Sequence, residues 1–400
     1  MKSSPYAIDG VINLGLYFNG VEFPFTVNST LGIIHISESS KLEIPMCKVQ
    51  ITDGIGWLSS NPGALVEGAL VTFVILARNT DSVTLTFRVN HLKISSNKGP
   101  DVIDFDGYLD IPKYWIETNI SSYQNYTSSQ VLRELSSQVG LTYNGVDTQD
   151  SQNWFGNRMR HHQFCSTVAS RGYLSDTSCM KRAVTILREL RYKDVSVLDN
   201  PKIAATIGSV RDGKLPIVSF LPKNSGGSAN RRTVYSKSTL EYSTVRDSAF
   251  RIHNNVMITP TEGGEFNVNA DVRSQVSQGH LTYAPIDYGN VNDNYQRALY
   301  QNRRGTDTFS VGLDIVTPVP TLSLGLSIFD IISVEAPPEM AEQTGLYVVV
   351  TRSIIIAQGS YHEKFELTRR SAASNQAKNT NSSNATEYEA IGSSLYTDYN

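Results

Sequence analysis

Short apolar and β-branched runs, each closed by a cluster of Gly, Pro, Asn or Asp, set the pattern of the first 115 residues. Ile33–Ile36, Cys47–Ile51, Val71–Ala77 and Val83–Val89 are four such runs. Thr84–Val89 alternates apolar and polar positions, the period of two that gives a strand one dry face and one wet face. Asn61-Pro62-Gly63 shows the punctuation between runs: Pro presets φ and Gly admits turn geometries closed to other residues. The pattern predicts an antiparallel sheet or small barrel over residues 1–118.

The period changes near Tyr126. Thr127 followed by Gln130 fits a capping box, Val131, Leu132, Leu135 and Val139 share one helical face, and Gly140 supplies the stop. A second helix is predicted from about Met159 to Arg171, with Phe164, Cys165, Val168 and Ala169 on one stripe and Gly172 ending it. In the following segment Val184, Ile186, Leu190 and Tyr192 share strand parity, which favours a strand pair although Lys181–Leu190 also holds good helix formers. Residues 119–225 therefore read as an α/β module inserted after the first β domain, with an end that can complete the first barrel.

From about Thr233 the strand texture returns, interrupted at residues 260–305 by a Gly-, Asn- and Asp-rich stretch that predicts a long excursion from the sheet. Leu322–Val334, Leu346–Ile356 and His362–Leu367 are three strand-like runs divided by Pro337-Pro338 and Gln358-Gly359. They predict a second barrel-like β domain over residues 226–370. Val66–Phe73 and Leu322–Phe329 each place a Gly, Gly68 and Gly325, shortly before an apolar residue entering a strand, a feature that duplication or shared turn chemistry explains. Residues 371–400 are Ser-, Asn-, Ala- and Thr-rich with few large apolar side chains, and predict a flexible tail unless a partner orders them. The fold class is mainly β, α+β.

Composition narrows the function classes. Of 400 residues 40% are hydrophobic and 18% charged, enough apolar material for real cores and less charge than the roughly 25% of an ordinary soluble domain. With 20 Tyr, that balance points to surface held against other protein. A net charge of −3 excludes a nucleic-acid-coating protein. Apolar stretches such as Phe73–Ala77 and Leu346–Val350 fall far short of the roughly 18 residues that span a bilayer, so no membrane insertion by this chain is expected. Lys2 alone precedes a short apolar run broken by Asp9, which misses the secretory pattern. Cys47, Cys165 and Cys179, odd in number and widely spaced, argue against a disulfide framework, and the chain is expected to fold in a cytoplasm.

Chemical signatures are weak. Gly208-Ser-Val-Arg-Asp-Gly-Lys214 has phosphate-loop spacing, but Leu215 replaces the Mg²⁺-binding hydroxyl and Pro216 is badly placed for the helix that must follow, so Asp212-Gly213 reads as a turn. His161, His162, Cys165 and Cys179 offer zinc-ligand chemistry, against the blander reading of a buried helix stripe with Cys as a small hydrophobe. Asp101, Asp104, Asp106 and Asp110 miss the calcium-loop pattern, since Ile103 and Phe105 take its third and fifth positions, and read as a solvated loop with a turn at Asp106-Gly107. Between Ser151 and Tyr192 seven Lys or Arg stand against two Asp or Glu, a patch for nucleic acid or for an acidic protein face, the near-neutral chain favouring the protein.

Several pieces in order resemble the baseplate hub proteins of long-tailed bacteriophages, which are similar to the hub portion of type VI secretion and contractile injection system spikes. They are Tyr126–Leu141, Trp154, His162–Tyr173 closing on Ala169-Ser-Arg-Gly-Tyr173, Ser178-Cys179-Met180 leading into Val184–Tyr192, and Gly345–Val348, Gly359–His362 and Leu367–Arg369. The resemblance covers residues 120–192 well and 320–370 fairly, residues 1–115 in texture only and 195–310 hardly.

It implies a homotrimeric ring in which two barrel domains per chain present a pseudo-sixfold face to the hexameric tail tube protein, while the other face carries the trimeric central spike protein. The inserted module would meet other baseplate proteins, and DNA would pass through the lumen without specific binding. The implied location is the virion tail baseplate, after synthesis in the bacterial host cytoplasm, with no catalysis, no cofactor and no metal. Interface residues or their supports would be Trp154, Phe155, Arg158 and Tyr173 in the module, with Tyr347, Tyr361 and Arg369 in the second barrel. A tail-associated peptidoglycan hydrolase is the alternative from another class, and a receptor-binding adhesin the third.

Overall fold

The structure is a computed structural model. It describes residues 13–208 apart from short gaps, strand segments between 215 and 285, and most of residues 311–369. The predicted 260–305 excursion, apart from Leu281–Pro285, and the 371–400 tail lie outside the described residues.

The first β unit comprises β1 (Asn13–Phe18), β2 (Val21–Glu22), β3 (Thr30–Ser39), β4 (Met46–Asp53), α1 (Trp57–Ser60), β5 (Leu70–Leu76), β6 (Val83–Ser95) and β7 (Asp101–Leu109). After α2 (Pro112–Trp115) come β8 (Thr118–Tyr126), α3 (Ser128–Val139), β9 (Thr142–Gly145), β10 (Gln152–Arg160), α4 (His161–Arg171), β11 (Met180–Val184) and β12 (Glu189–Asp194). The remainder holds β13 (Ile203–Gly208), β14 (Leu215–Pro216), β15 (Ser219–Asn224), β16 (Arg231–Ser236), β17 (Glu241–Arg246), β18 (Val256–Ile258), β19 (Leu281–Pro285), β20 (Val311–Thr317), β21 (Ile331–Val334), β22 (Gly345–Ala357) and β23 (Ser360–Arg369).

The mainly β class predicted by alternation holds, and β4 shows why: Cys47, Val49 and Ile51 are buried while Lys48 and Gln50 face outward. Among the described residues no barrel closes. One sheet runs β2-β1-β5-β6-β7-β4-β3-β22-β21-β13-β14, with β23, β20 and β15 continuing from the other edge of β22. β22 joins the two halves. Its start pairs with β21 through Val348 and Ile331, a bulge falls between Val349 and Thr351, and the strand then pairs with β3 from Thr351 opposite Ser39 to Ile356 opposite Ile34. One core packs Leu16, Phe18, Phe73 and Phe87 with the module's Leu132 and Trp154, and a second packs Ile207, Leu313, Ile332, Tyr347 and Phe365.

In the module, Thr127 Oγ1 accepts from Gln130 N, Gln130 Oε1 accepts from Thr127 N, and Gly140 caps the end at φ 77°, as the spacing predicts for α3. The β11–β12 antiparallel pair also matches expectation. Four local expectations are corrected. α4 starts at His161 because Met159 and Arg160 pair with β8. Only Ile331–Val334 of the Leu322–Val334 run is a described strand. Gly68 and Gly325 are both left-handed, at φ 85° and 71°, but only Gly68 leads into a strand; the segment after Gly325 is a buried turn. Asp106-Gly107 lies inside β7, with Gly107 buried against β6, so Asp101, Asp104 and Asp106 sit on a strand and not on a loop, and Asp110 follows its end.

Gly172 ends α4 in extended conformation, and its glycine identity is steric. A Cβ there would lie 1.8 Å from Tyr192 Oη and 2.7 Å from Ser128 Oγ. Both side chains are fully enclosed. Gly172→Ala is therefore expected to lower unfolding stability by about 1–3 kcal/mol through overpacking, read as a shifted urea midpoint with unchanged slope.

Candidate interface site

Two charged side chains lie at the junction of the two cores. In β3, Glu38 continues the buried face of Ile34 and Ile36; in β22, Arg352 continues the face of Ile354 and Ile356. They are opposite one another across the strand pair, both fully buried. Arg352 Nη2 lies 2.6 Å from Glu38 Oε1, outside hydrogen-bond geometry, while Arg352 Nη1 donates to the Leu326 carbonyl. Glu38 Oε2 accepts from Ile186 N at 2.7 Å, in the β11–β12 turn of the module. Burial pushes the Glu38 carboxyl above its ordinary value, partly offset by the Arg352 charge. One buried contact thus ties together the first β unit, the second and the module.

A second buried acid sits beside it. Glu363 on β23 accepts from Thr321 N at 2.7 Å and from Thr321 Oγ1 at 2.5 Å, and also receives the Tyr361 hydroxyl. Burial, then the adjacent Glu363 charge, push the Tyr361 phenol up.

Three arginines clamp the module to the sheet. Arg182 bonds Glu43 Oε2 at 2.5 Å and Tyr114 Oη at 2.8 Å, Arg188 donates to the Asp110 carbonyl at 2.8 Å, and Arg191 Nη1 reaches both the Ile328 carbonyl and Asp330 Oδ1 at 2.7 Å. Arg191 also holds Glu189 at 2.9 Å. The basic excess of Ser151–Tyr192 is thus partly corrected: three of its cations are used against acceptors of the same chain, and for the enclosed Arg182 and Arg191 the cause is that desolvating a guanidinium requires a nearby acceptor.

The outer part of the module is the two-stranded ribbon β8–β10. Its inner face carries Tyr123 and Trp154 against Phe164 of α4, with Tyr123 and Phe164 rings 6.2 Å apart, and Trp154 Nε1 donates to the Tyr126 carbonyl at 2.8 Å. Its outer face carries Phe155, opposite Ser122, and Ile120. Phe155 is 65% exposed, Ile120 59% and Ile116 at the ribbon's base 58%, the three highest values for large hydrophobics among the described residues. Arg158, at φ 50° in the bulge, is exposed.

Of the seven singled-out residues, Phe155 and Arg158 therefore present side chains outward. Trp154, Tyr347, Tyr361 and Arg369 are buried, and Tyr173 is half-buried. Tyr347 Oη donates to the Gln343 carbonyl at 2.8 Å, and Arg369 lies 4.9 Å from the Tyr347 ring centroid while donating to the Thr344 carbonyl at 3.0 Å. Glu38, Arg352 and Glu363 escaped selection from the sequence, although a charged residue continuing an apolar strand face is the signal that marks them.

The residues considered for metal or nucleotide chemistry take other partners. His161 Nδ1 is 2.9 Å from the Lys113 carbonyl, and His162 stacks on Trp115 at 4.4 Å. Cys165 and Cys179 are buried in different cores, the Cys165 thiol pushed up to about 12 by burial. Among the described residues no three His, Cys, Asp or Glu gather as a metal group. Ser209–Lys214 lies outside the described residues, and Leu215–Pro216 after it is a strand, where a phosphate loop requires a helix. A groove of about 520 Å³ runs beside α4, lined by Glu43, Met159, His162, Gln163, Ser166, Thr167 and Ser170, with Ser166 Oγ donating to Glu43 at 3.3 Å.

No family model matches the chain, and no curated protein matches it in sequence. Solved structures do. A 43 kDa tail protein of prophage MuSo2 from Shewanella oneidensis superposes with a TM-score of 0.57 at 12% identity, covering 90% of this chain and 97% of that one. A tail protein from Neisseria meningitidis MC58 gives a TM-score of 0.57 at 9% identity, covering 90% and 96%. A component of the type VI secretion system from E. coli superposes less well, with a TM-score of 0.47 at 11% identity over 90% and 77%. The chain has the fold of phage tail proteins.

Proposed function

We propose that this chain is a structural protein of a phage-type tail and serves as its baseplate hub. The observation that carries the proposal is superposition over 90% of the chain on nearly the whole length of two tail proteins. In the proposed role three copies form a ring whose two β units per copy meet the hexameric tube on one face, while the other face carries the trimeric spike. The buried Glu38–Arg352 contact supports this reading, since an adaptor between two symmetries needs its β units held at one fixed angle. Phe155 and Arg158 are proposed interface residues of the module, with Trp154 holding their ribbon from beneath. Tyr347, Tyr361 and Arg369 act as buried supports of the second unit, and Tyr173 packs partly exposed beside Asp150, whose Oδ2 accepts from its N–H at 2.9 Å. The work is positional and needs no catalytic group; DNA would cross the lumen without specific binding.

Negative-stain class averages of the purified chain, alone and with its co-expressed spike, test the proposal. The expected image is a threefold ring with a sixfold outline. Compact monomers under both conditions would remove the hub reading.

A further inference from the structure

The outward face of the β8–β10 ribbon joins exposed apolar surface to unpaired positive charge. Phe155 and Ile120 lie diagonally across the two strands, a spacing of roughly 7 Å at which large side chains form one patch. Ile116 adds to its base. Arg158 and Arg160 border it, and neither guanidinium is in an ion pair among the described residues. Glu117 is the only acidic side chain in residues 113–123 and 152–160. Neither ribbon strand pairs with a third strand among the described residues. Such a surface suits a segment that brings apolar side chains together with carboxylates.

The chain itself encodes one. Residues 371–386 contain no large apolar residue and a single charge, Lys378, whereas Glu387, Tyr388, Glu389, Ile391, Leu395, Tyr396, Asp398 and Tyr399 follow within a few residues. Tyr388, Ile391, Leu395 and Tyr399 recur at three- and four-residue spacing, an apolar stripe flanked by the three acids. Seventeen residues separate Arg369, the end of β23, from Glu387. At about 3.3–3.6 Å per residue that tether spans up to roughly 60 Å, against a radius of gyration of about 21 Å expected for a chain of this length.

We propose that the segment 387–399 docks on the outer face of the β8–β10 ribbon of its own chain, with its aromatic and aliphatic stripe on Ile120 and Phe155 and its carboxylates toward Arg158 and Arg160. The docking stands whether or not the chain forms a ring.

A photo-crosslinking phenylalanine placed at Tyr396 of the full-length chain tests it. The expected links fall within residues 116–122 and 153–160. Their yield should drop roughly tenfold in Phe155→Ser and in the Arg158→Glu, Arg160→Glu pair; these side chains are solvent-facing, so folding should persist and is checked by circular dichroism. Adding Glu387→Arg and Glu389→Arg to the arginine reversals should restore the links. Mixing isotope-labelled and unlabelled copies separates docking within a chain, which supports the proposal, from docking between copies, which would overturn it. Links elsewhere on the chain, links to a co-purifying protein, or yields indifferent to the ribbon changes would overturn it.

Discussion

Arg352→Met is expected to destabilise the folded chain by about 3–5 kcal/mol, because it leaves the Glu38 carboxylate buried without its counter-charge. The size follows from position. Both side chains are fully enclosed, Glu38 keeps only the Ile186 N–H as a hydrogen-bond donor, and Arg352 also gives up its bond to the Leu326 carbonyl. Pairing Arg352→Met with Glu38→Leu removes both charges at once and should recover much of the loss, since apolar pairs of similar volume often match or exceed a buried ion pair. Urea denaturation of the two single variants and the double variant gives the coupling directly. Additive losses would mean that the two groups do not interact, and the joint between the β units would then need another explanation. The single variant should also blur any ring seen by electron microscopy, as the two units lose their fixed angle.

Trp154→Ala should cost a comparable amount, about 3–5 kcal/mol for emptying a large buried site, and the loss should be concentrated in the ribbon. Trp154 fills the space between β10 and the first core and anchors β8 through the 2.8 Å bond to the Tyr126 carbonyl. Amide exchange across residues 118–126 and 152–160 should accelerate more than exchange in β3 or β22. Trp154→Phe, which keeps most of the packing and drops the donor, should lose only about 1 kcal/mol. Full stability in Trp154→Ala would show that the ring matters only to a partner, and Trp154 would then belong with Phe155 as a contact and not as its support.

Much of the local structure was legible because its causes are local. Strand parity in β4 and β6, the reciprocal Thr127–Gln130 cap of α3 and the paired strands β11 and β12 depend on neighbours a few residues away. The misreadings share a different cause. Asp106-Gly107 has turn chemistry, yet β4 and β6 pair on either side of it and hold it in a strand. The Leu322–Phe329 run looks like a strand, yet its carbonyls at Leu326 and Ile328 turn toward Arg352 and Arg191. The basic stretch before Tyr192 suggested an external acidic partner, while Glu43 and Asp330 come from distant parts of the same chain.

The sequence by itself determined the mainly β class, the capped helix α3 and the β11–β12 pair, since periodicity and capping are properties of short windows. Only the tertiary structure decided that β22 passes from β21 to β3 at a bulge and that Glu38 meets Arg352 across it. Burial made the difference. A charge in an apolar strand face is tolerable only where a counter-charge arrives from elsewhere, and that arrival is set by the packing of strands separated by most of the chain.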